Sequence, residues 1–131
     1  MRTVSAFISY LGNGRVFIGG GYGSYEFYSL DARTGEVVWQ IRTNDDGPTA
    51  AVVEDGYVAF NTESCTVMVC EANNGRVVWE EWLGDPLMSH PAISNGRLFI
   101  AYPKGRGRLA PHMLLCAHLR TGAHIWEQTI T

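Results

Sequence analysis

The sequence lacks the features of several simple functional classes. No apolar run approaches the roughly 18 residues of a membrane-spanning helix, and residues 1–14 lack the apolar core of a secretory signal. Ten basic residues against 13 acidic ones form no basic face, which argues against nucleic acid or an anionic membrane surface as a partner. If Met1 is the true start, these absences predict a cytoplasmic chain. A fragment of a secreted protein would instead be periplasmic.

Cysteine is also scarce. The three cysteines, Cys65, Cys70 and Cys116, are an odd number and contain no CxxC spacing, so they predict neither a disulfide framework nor a cysteine metal site. Cys65 and Cys70 have opposite parity in one predicted strand and are expected to be small buried apolar side chains. With 46% hydrophobic and 18% charged residues, the 131-residue chain predicts one folded domain.

What the chain does contain is an internal repeat. The segment Leu30–Trp39 returns at Cys70–Trp79 and at Ala117–Trp126, with glycine and tryptophan four residues apart in each copy. The tryptophans are 40 and 47 residues apart, a period typical of a four-stranded propeller blade. A second mark, an Asn-Gly or Asp-Gly pair before an apolar run, precedes each of these segments and starts at Asn13, Asp55 and Asn95.

Each repeat divides into four β-strands bounded by turn residues. No segment keeps apolar residues at helical spacing for ten or more residues, which excludes a helical fold. Strands are predicted at 3–11, 15–20, 25–31 and 36–42, then at 48–54, 57–62, 65–71 and 76–83, and finally at 90–94, 97–102, 112–118 and 123–130. We therefore predict an all-β fold, a β-propeller of four-stranded antiparallel blades. Residues 1–131 would form a single segment with blades at about 3–42, 48–83 and 90–131.

The phrase Leu-Asp-Ala-x-Thr-Gly-x-x-x-Trp is complete at Leu30–Trp39 and degenerate in the other two copies. It resembles the tryptophan-docking motif of the quinoprotein-like β-propellers, the PQQ-type repeat family, and the resemblance covers nearly the whole chain. It implies that each tryptophan packs between its own blade and the glycine-containing turn of a neighbour. The structural residues it implies are Trp39, Trp79 and Trp126, with Gly35, Gly75 and Gly122 as partners.

The number of repeats poses a question of closure. Propellers close with typically four to eight blades, and the family resembled usually has seven or eight, whereas this sequence has three repeats. We expect the ring to be completed by further blades of a longer chain, or by association with other chains or copies of itself as a homo-oligomer. Two copies would make six blades.

The predicted blades have two different ends. Six short, similar turns share one end, and loops that differ between repeats share the other, which by resemblance is the cofactor end of the enzymatic relatives. Binding residues concentrate on variable loops held by a rigid frame, so a site is expected at this end. The variable loops are 19–24, 42–48, 61–64, 83–91 and 103–111.

Four polar residues of these loops are candidate binding residues. Asp45 and Asp46 offer carboxylate oxygens to a calcium ion, or simply form an Asx-type turn. Asn61 and Glu63 are two residues apart and would share one side of an extended segment. The alternative for this second pair is a hydrogen-bonded hairpin loop.

Other polar residues extend the candidate list. His90 lies in the fourth variable loop, and Arg106 lies in the basic insert 103–108, which would meet an anion or remain solvated. His112, Cys116, His118 and His124 suggest zinc ligands. Strand pairing across the last turn sets His124 opposite Ala117. His124 therefore lies on the opposite face of the sheet from His112, Cys116 and His118, and we predict no metal site.

No catalytic residue is predicted. The chain has no GxSxG signature, and it lacks the adjacent cysteine pair that enzymatic quinoproteins place at their cofactor. We expect a non-enzymatic scaffold or binding platform acting through its variable-loop end, with protein partners and no cofactor, as in relatives that include an outer-membrane assembly scaffold. The alternative is a fragment of an alcohol or sugar dehydrogenase that binds PQQ and calcium.

Overall fold

The computed structural model describes residues 7–11, 14–20, 23–84, 89–105 and 110–130, which contain twelve β-strands and no helix. Nothing in these ranges qualifies as a membrane-spanning helix. The strands are β1 (Phe7–Leu11), β2 (Arg15–Gly19), β3 (Glu26–Asp31), β4 (Val37–Arg42), β5 (Val52–Glu54), β6 (Tyr57–Phe60), β7 (Thr66–Glu71), β8 (Val77–Trp82), β9 (Ala92–Ser94), β10 (Arg97–Pro103), β11 (His112–His118) and β12 (His124–Thr129).

The strands form three four-stranded antiparallel sheets, β1–β4, β5–β8 and β9–β12, in each of which neighbouring strands follow one another along the chain. The all-β fold and its propeller blades are confirmed, and we call the sheets the first, second and third blades. Most predicted strand ends differ from the observed ones by one or two residues. The predicted start of the first strand, residues 3–6, lies outside the described residues. Among the described residues the largest difference is at β5, which begins at Val52 and not at residue 48. Pro48 cannot donate a backbone hydrogen bond, which disfavours pairing there.

Tight turns connect the first two strands of the second and third blades. In the turns Asp55-Gly56 and Asn95-Gly96 both residues have positive φ, between 52° and 82°. This is the conformation that the Asp-Gly and Asn-Gly pairs predict for two-residue hairpins. The Ala72 N–H donates to the Gly56 carbonyl at 2.9 Å. An equivalent hydrogen bond joins the two short turns of every blade and keeps them together at one end of the molecule.

The core consists of two clusters, one on each side of the second blade. Because strand side chains alternate between faces, Val58 and Phe60 pack towards the first blade while Ala59 and Val67 pack towards the third. The rings of Phe27 and Phe60 stack across the first interface at 3.9 Å. Strand β7 is accordingly buried along both faces.

A β-bulge occurs at the same place in all three blades and was not anticipated from the sequence. Between the third and fourth strands, the pairing of Ser29 with Trp39 is followed by that of Leu30 with Val37, which leaves one residue unpaired. The equivalent shifts occur before Trp79 and Trp126. A bulge re-aims the side chains beside it, so each repeat tryptophan leaves its strand in the same local geometry.

The three cysteines are free and buried. Burial raises the pKa of the Cys70 thiol to about 12 and also raises that of Cys65, so both thiols are protonated at neutral pH. The expectation that Cys65 and Cys70 are unbridged apolar side chains is confirmed.

Candidate functional site

Two candidate segments that are far apart in sequence meet at the variable-loop end. Residues 43–49 lie in the connection between the first and second blades, and residues 61–66 comprise the β6–β7 loop and the first residue of β7. The Glu63 N–H donates to the Asp46 carbonyl at 2.8 Å, and the Thr49 N–H donates to the Asn61 carbonyl at 2.8 Å. We call these two segments, together with Ser89 of the third blade, the loop cluster.

Asp45 is the hydrogen-bonding centre of the loop cluster. Its Oδ2 accepts from the hydroxyls of Thr62 at 2.8 Å and Thr66 at 2.9 Å, and its Oδ1 accepts from the Asp46 N–H at 2.8 Å. Partial burial would raise the pKa of Asp45, but these hydrogen bonds outweigh it and hold that pKa below the usual value. Asp45 therefore joins the two segments as a carboxylate.

Asp46 and Glu63 form an acidic pair within the loop cluster. Desolvation, then the charge of Asp46 and a hydrogen bond with it, raise the pKa of Glu63. A hydrogen bond between two carboxyl groups requires a shared proton. With both groups ionised, Asp46 Oδ1 and Glu63 Oε2 are buried acceptors that find no donor among the described residues.

Asn61 connects the β6–β7 loop to Ser89 within the loop cluster. Its side chain is fully buried, and its Nδ2 donates to the Ser89 carbonyl at 3.0 Å, while its Oδ1 has no partner in the described chain. Residues 62–65 form a turn closed by the Cys65 N–H and the Thr62 carbonyl at 3.0 Å, and not the extended segment expected. Asn61 and Glu63 consequently engage different neighbours, and the hairpin-loop alternative describes this segment better.

The remaining loop candidates are His90, which adjoins the loop cluster in sequence, and Arg106. His90 is exposed and directly follows Ser89. Arg106 lies outside the described residues. Lys104, from the same insert, pairs with Glu127 at 2.9 Å, and that carboxylate also accepts the hydroxyl of Tyr102.

The described side chains do not form a metal centre. No three of their His, Cys, Asp and Glu residues converge on one point, so the acidic residues of the loop cluster do not fit a calcium site. His124 pairs opposite Ala117, as predicted, and its Nε2 lies 2.8 Å from Glu81 of the second blade. The carboxylate of Asp45 is already occupied by hydroxyl and amide donors.

Two of the three repeat tryptophans contact a glycine turn of the following blade. Trp39 Nε1 donates to the Ala72 carbonyl at 2.9 Å, and a Cβ added at Gly75 would lie 2.6 Å from the indole. Trp79 Nε1 donates to the Leu119 carbonyl at 2.7 Å. A Cβ at Gly122 would lie 2.7 Å from that second indole.

The remaining tryptophan and glycine of the repeat set, Trp126 and Gly35, are not in contact with each other. Trp126 is 40% exposed and packs against Phe99 of its own blade, with ring centroids 6.0 Å apart. A Cβ added at Gly35 would meet nothing within 4 Å. Trp126 and Gly35 therefore lack the inter-blade contact within the described chain.

The loop cluster also contains residues that the sequence did not single out as binding residues. Thr66 and Ser89 lie next to the candidate segments, but their side-chain partners depend on how the loops fold together. A separate open cavity of about 280 Å³ lies at the short-turn end of the third blade. It is lined by Gly96, His118, Arg120 and Thr121.

The comparisons with known proteins agree with this architecture. A family model described as the outer membrane protein assembly factor BamB matches residues 3–131. A europium-containing methanol dehydrogenase is similar over 94% of the chain with a TM-score of 0.77 and 14% identity. BamB from Moraxella catarrhalis is similar over 89% with a TM-score of 0.71 and 22% identity. The quinohemoprotein alcohol dehydrogenase from Comamonas testosteroni is similar over 98% with a TM-score of 0.71 and 16% identity.

At these identities the solved structures establish the fold alone. The chain spans 24% of the methanol dehydrogenase, 35% of the Moraxella BamB and 21% of the Comamonas enzyme. No curated protein sequence matches it. Both a protein assembly factor and dehydrogenases are thus among the proteins that share this blade arrangement.

Proposed function

Since the chain belongs to the PQQ-type repeat β-propeller family whose model is described as the outer membrane protein assembly factor BamB, we propose that it is a non-enzymatic, protein-binding platform. Its binding surface is the loop cluster, which the stacked blades hold rigidly at the variable-loop end. The family description also favours a periplasmic location. The cytoplasmic alternative, which depended on Met1 as the true start and on the absence of a signal sequence, has no support in the comparisons.

The observation that carries this proposal is the acidic pair of Asp46 and Glu63. Each has a buried carboxylate oxygen without a donor among the described residues. An unsatisfied buried acceptor is costly, so turning these carboxylates outward to accept a charge-assisted hydrogen bond from a ligand would remove that cost. Arginine, lysine or backbone N–H groups of a protein partner supply such donors. The preferred ligand is therefore a basic segment of another protein.

A pair of matched peptides tests this proposal. Two extended peptides that differ only in carrying arginine or glutamate are titrated against the chain by isothermal calorimetry. We expect the arginine peptide alone to bind, and Glu63→Gln to weaken its binding. Glu36→Gln removes the same charge at the short-turn end and should leave binding unchanged. Equal binding of both peptides, or equal effects of both substitutions, would contradict the proposal.

The tryptophans have a structural role in this platform. We assign Trp39 and Trp79 the role of clamps between consecutive blades, because each indole is hydrogen-bonded to the next blade and covers its turn glycine. We also propose that further blades complete the ring, from a longer chain or from copies of this one.

The alternative function is that of a quinoprotein dehydrogenase segment, favoured by the similarity to a methanol dehydrogenase. The acidic residues do not fit a calcium site as arranged, and the sequence has no adjacent cysteines. Quinone titration with calcium, followed by absorbance and by dye reduction with alcohols and aldoses, discriminates the two functions. We expect no uptake. Calcium-dependent uptake that Glu63→Gln and Asn61→Ala abolish would favour the dehydrogenase.

A further inference from the structure

The contact between consecutive blades is a repeated unit with two halves. One half is the outer-strand tryptophan, and the other is the turn between the third and fourth strands of the next blade. In this turn a backbone carbonyl accepts the indole N–H, and a glycine leaves space for the ring. The unit is complete twice within the chain, at Trp39 with Gly75 and at Trp79 with Gly122.

The first blade carries an unused turn of this kind. The Gly35 N–H donates to the Asp31 carbonyl at 2.7 Å, and Gly35 has a φ of 77°. The equivalent bonds at Gly75 and Gly122 are both 2.9 Å, with φ values of 79° and 78°. The turn thus already has the backbone conformation of the two that receive a tryptophan. Ala32, the counterpart of Ala72 and Leu119, is exposed.

The third blade carries an unused tryptophan, already held in position. Trp126 and Phe99 have ring centroids 6.0 Å apart at 50°, and Trp39 and Phe17 have centroids 5.9 Å apart at 47°. The same bulge precedes both tryptophans. Trp126 is nevertheless 40% exposed whereas Trp39 is 8% exposed. Its Nε1 makes no hydrogen bond to any described residue, so the indole is oriented for a contact that is absent.

We propose that Trp126 of one copy docks on the Ala32–Gly35 turn of a second copy of this chain, with Nε1 donating to the Ala32 carbonyl. This inference extends the ring completion proposed above by naming its contact. The two patches differ, so the interface is head-to-tail and closes only for certain numbers of copies. The described residues of each copy form three blades, so two copies give six, which is within the usual four to eight. The product is a six-bladed dimer.

One of the two internal contacts has an ion pair that the dimer contact lacks. Within the chain, Arg120 of the third blade pairs with Asp55 of the second at 3.1 Å and lies over the ring of Tyr57. The counterpart of Arg120 is Arg33, and the counterpart of Asp55 is Asn95, which carries no charge. The ion pair is not repeated at the dimer contact, but both of its side chains are about two-thirds exposed, so its absence weakens the contact only slightly.

Four variants of the full chain test this contact by sedimentation equilibrium. Trp126→Ala removes the tryptophan half of the contact. Gly35→Ala blocks the turn half, because a Cβ at the equivalent glycines lies 2.6–2.7 Å from the indole. The controls are Trp82→Ala, at a tryptophan that is 64% exposed, and Gly56→Ala. Gly56 has a similar positive φ of 82° and an empty Cβ position. The unmodified chain should be a reversible dimer, and the first two variants should raise its dissociation constant about 30-fold or more.

Each other outcome overturns the proposal. A chain that stays monomeric at high micromolar concentration has no such contact, and open polymers exclude the six-bladed ring. If Trp126→Ala disrupts the dimer and Gly35→Ala does not, the tryptophans pair with each other. If Gly56→Ala disrupts it as strongly as Gly35→Ala, backbone strain is the cause. Circular dichroism of every variant reports whether the sheets are intact, and peptide binding at the loop cluster is measured separately, so the two proposals fail independently.

Discussion

The indole of Trp39 covers Gly75 of the next blade so closely that a single added methyl group would overlap the ring, at 2.6 Å from Cε3. The indole N–H is bonded to Ala72 on the same turn, so the ring cannot move away without losing that bond. The glycine is required here for two reasons, its φ of 79° and the approach of the ring. The two causes can be separated by experiment.

Gly75→Ala should destabilise the chain more than Gly56→Ala. Both substitutions carry the cost of a positive φ, but Gly56 has nothing within 4 Å of the added Cβ. Overpacking against the indole should add about 1–3 kcal/mol to the loss at Gly75. The free energies of unfolding, measured in urea, give the difference directly. Equal losses would mean that the indole moves aside without cost.

Truncation of a clamp should cost more than truncation of an exposed tryptophan three residues away. Trp79→Ala removes a ring that covers Gly122 and a hydrogen bond to Leu119, and should cost about 3–5 kcal/mol. Trp82 is 64% exposed, and Trp82→Ala should cost about 1 kcal/mol or less. Denaturant unfolding of both variants checks this. Equal, small losses would show that Trp79 does not clamp the blades.

Removing the charge of Glu63 should stabilise the chain at neutral pH. Because the fold raises the pKa of Glu63, ionising this group opposes folding once the pH exceeds the folded pKa. Below the pKa that Glu63 has in the unfolded chain, near pH 4, the group is protonated in both states and this destabilisation is absent. Glu63→Gln should therefore raise the melting temperature at pH 7 and leave it unchanged at about pH 3. Asp46→Asn removes the other charge of the pair and should act in the same direction. A lower melting temperature for Glu63→Gln at pH 7 would contradict this.

Asp45 should show the opposite pH dependence. The pKa of Asp45 is lower in the folded chain than in the unfolded chain. Its ionised carboxylate therefore stabilises the fold above the pKa of the unfolded chain, and this stabilisation is lost as the pH falls through the pKa of the folded chain. Asp45→Ala leaves the hydroxyls of Thr62 and Thr66 without their acceptor and should cost about 1–3 kcal/mol at pH 7. Urea unfolding at several pH values should show the free energies of unfolding of the unmodified chain and of Asp45→Ala converging at acidic pH. A loss that is independent of pH would show that the carboxylate charge is not the cause.

The short-range features of the fold were predictable from residue types. The Asp55-Gly56 turn and the pairing of Ala117 with His124 follow from turn chemistry and the two-residue period of a strand. Each depends on residues within one hairpin.

The loop cluster was predictable only in part. Asp45, Asp46, Asn61 and Glu63 were named as candidates, but as two unrelated pairs. Their proximity depends on how the connection between the first two blades folds over the β6–β7 turn. A spacing of some fifteen residues, with no periodic pattern between them, contains no signal for that contact.

The sequence by itself determined the repeat, the four strands of each blade and the glycine turns, because these arise from local backbone preferences and the alternation of apolar side chains. Only the tertiary structure decided that Trp39 meets Gly75 of the next blade and not Gly35 of its own, and that Trp126 is left exposed. The physical reason is that these contacts form between sheets. The same glycine–tryptophan spacing recurs in all three blades and cannot specify which partner each tryptophan meets, since that is set by the order in which the blades stack.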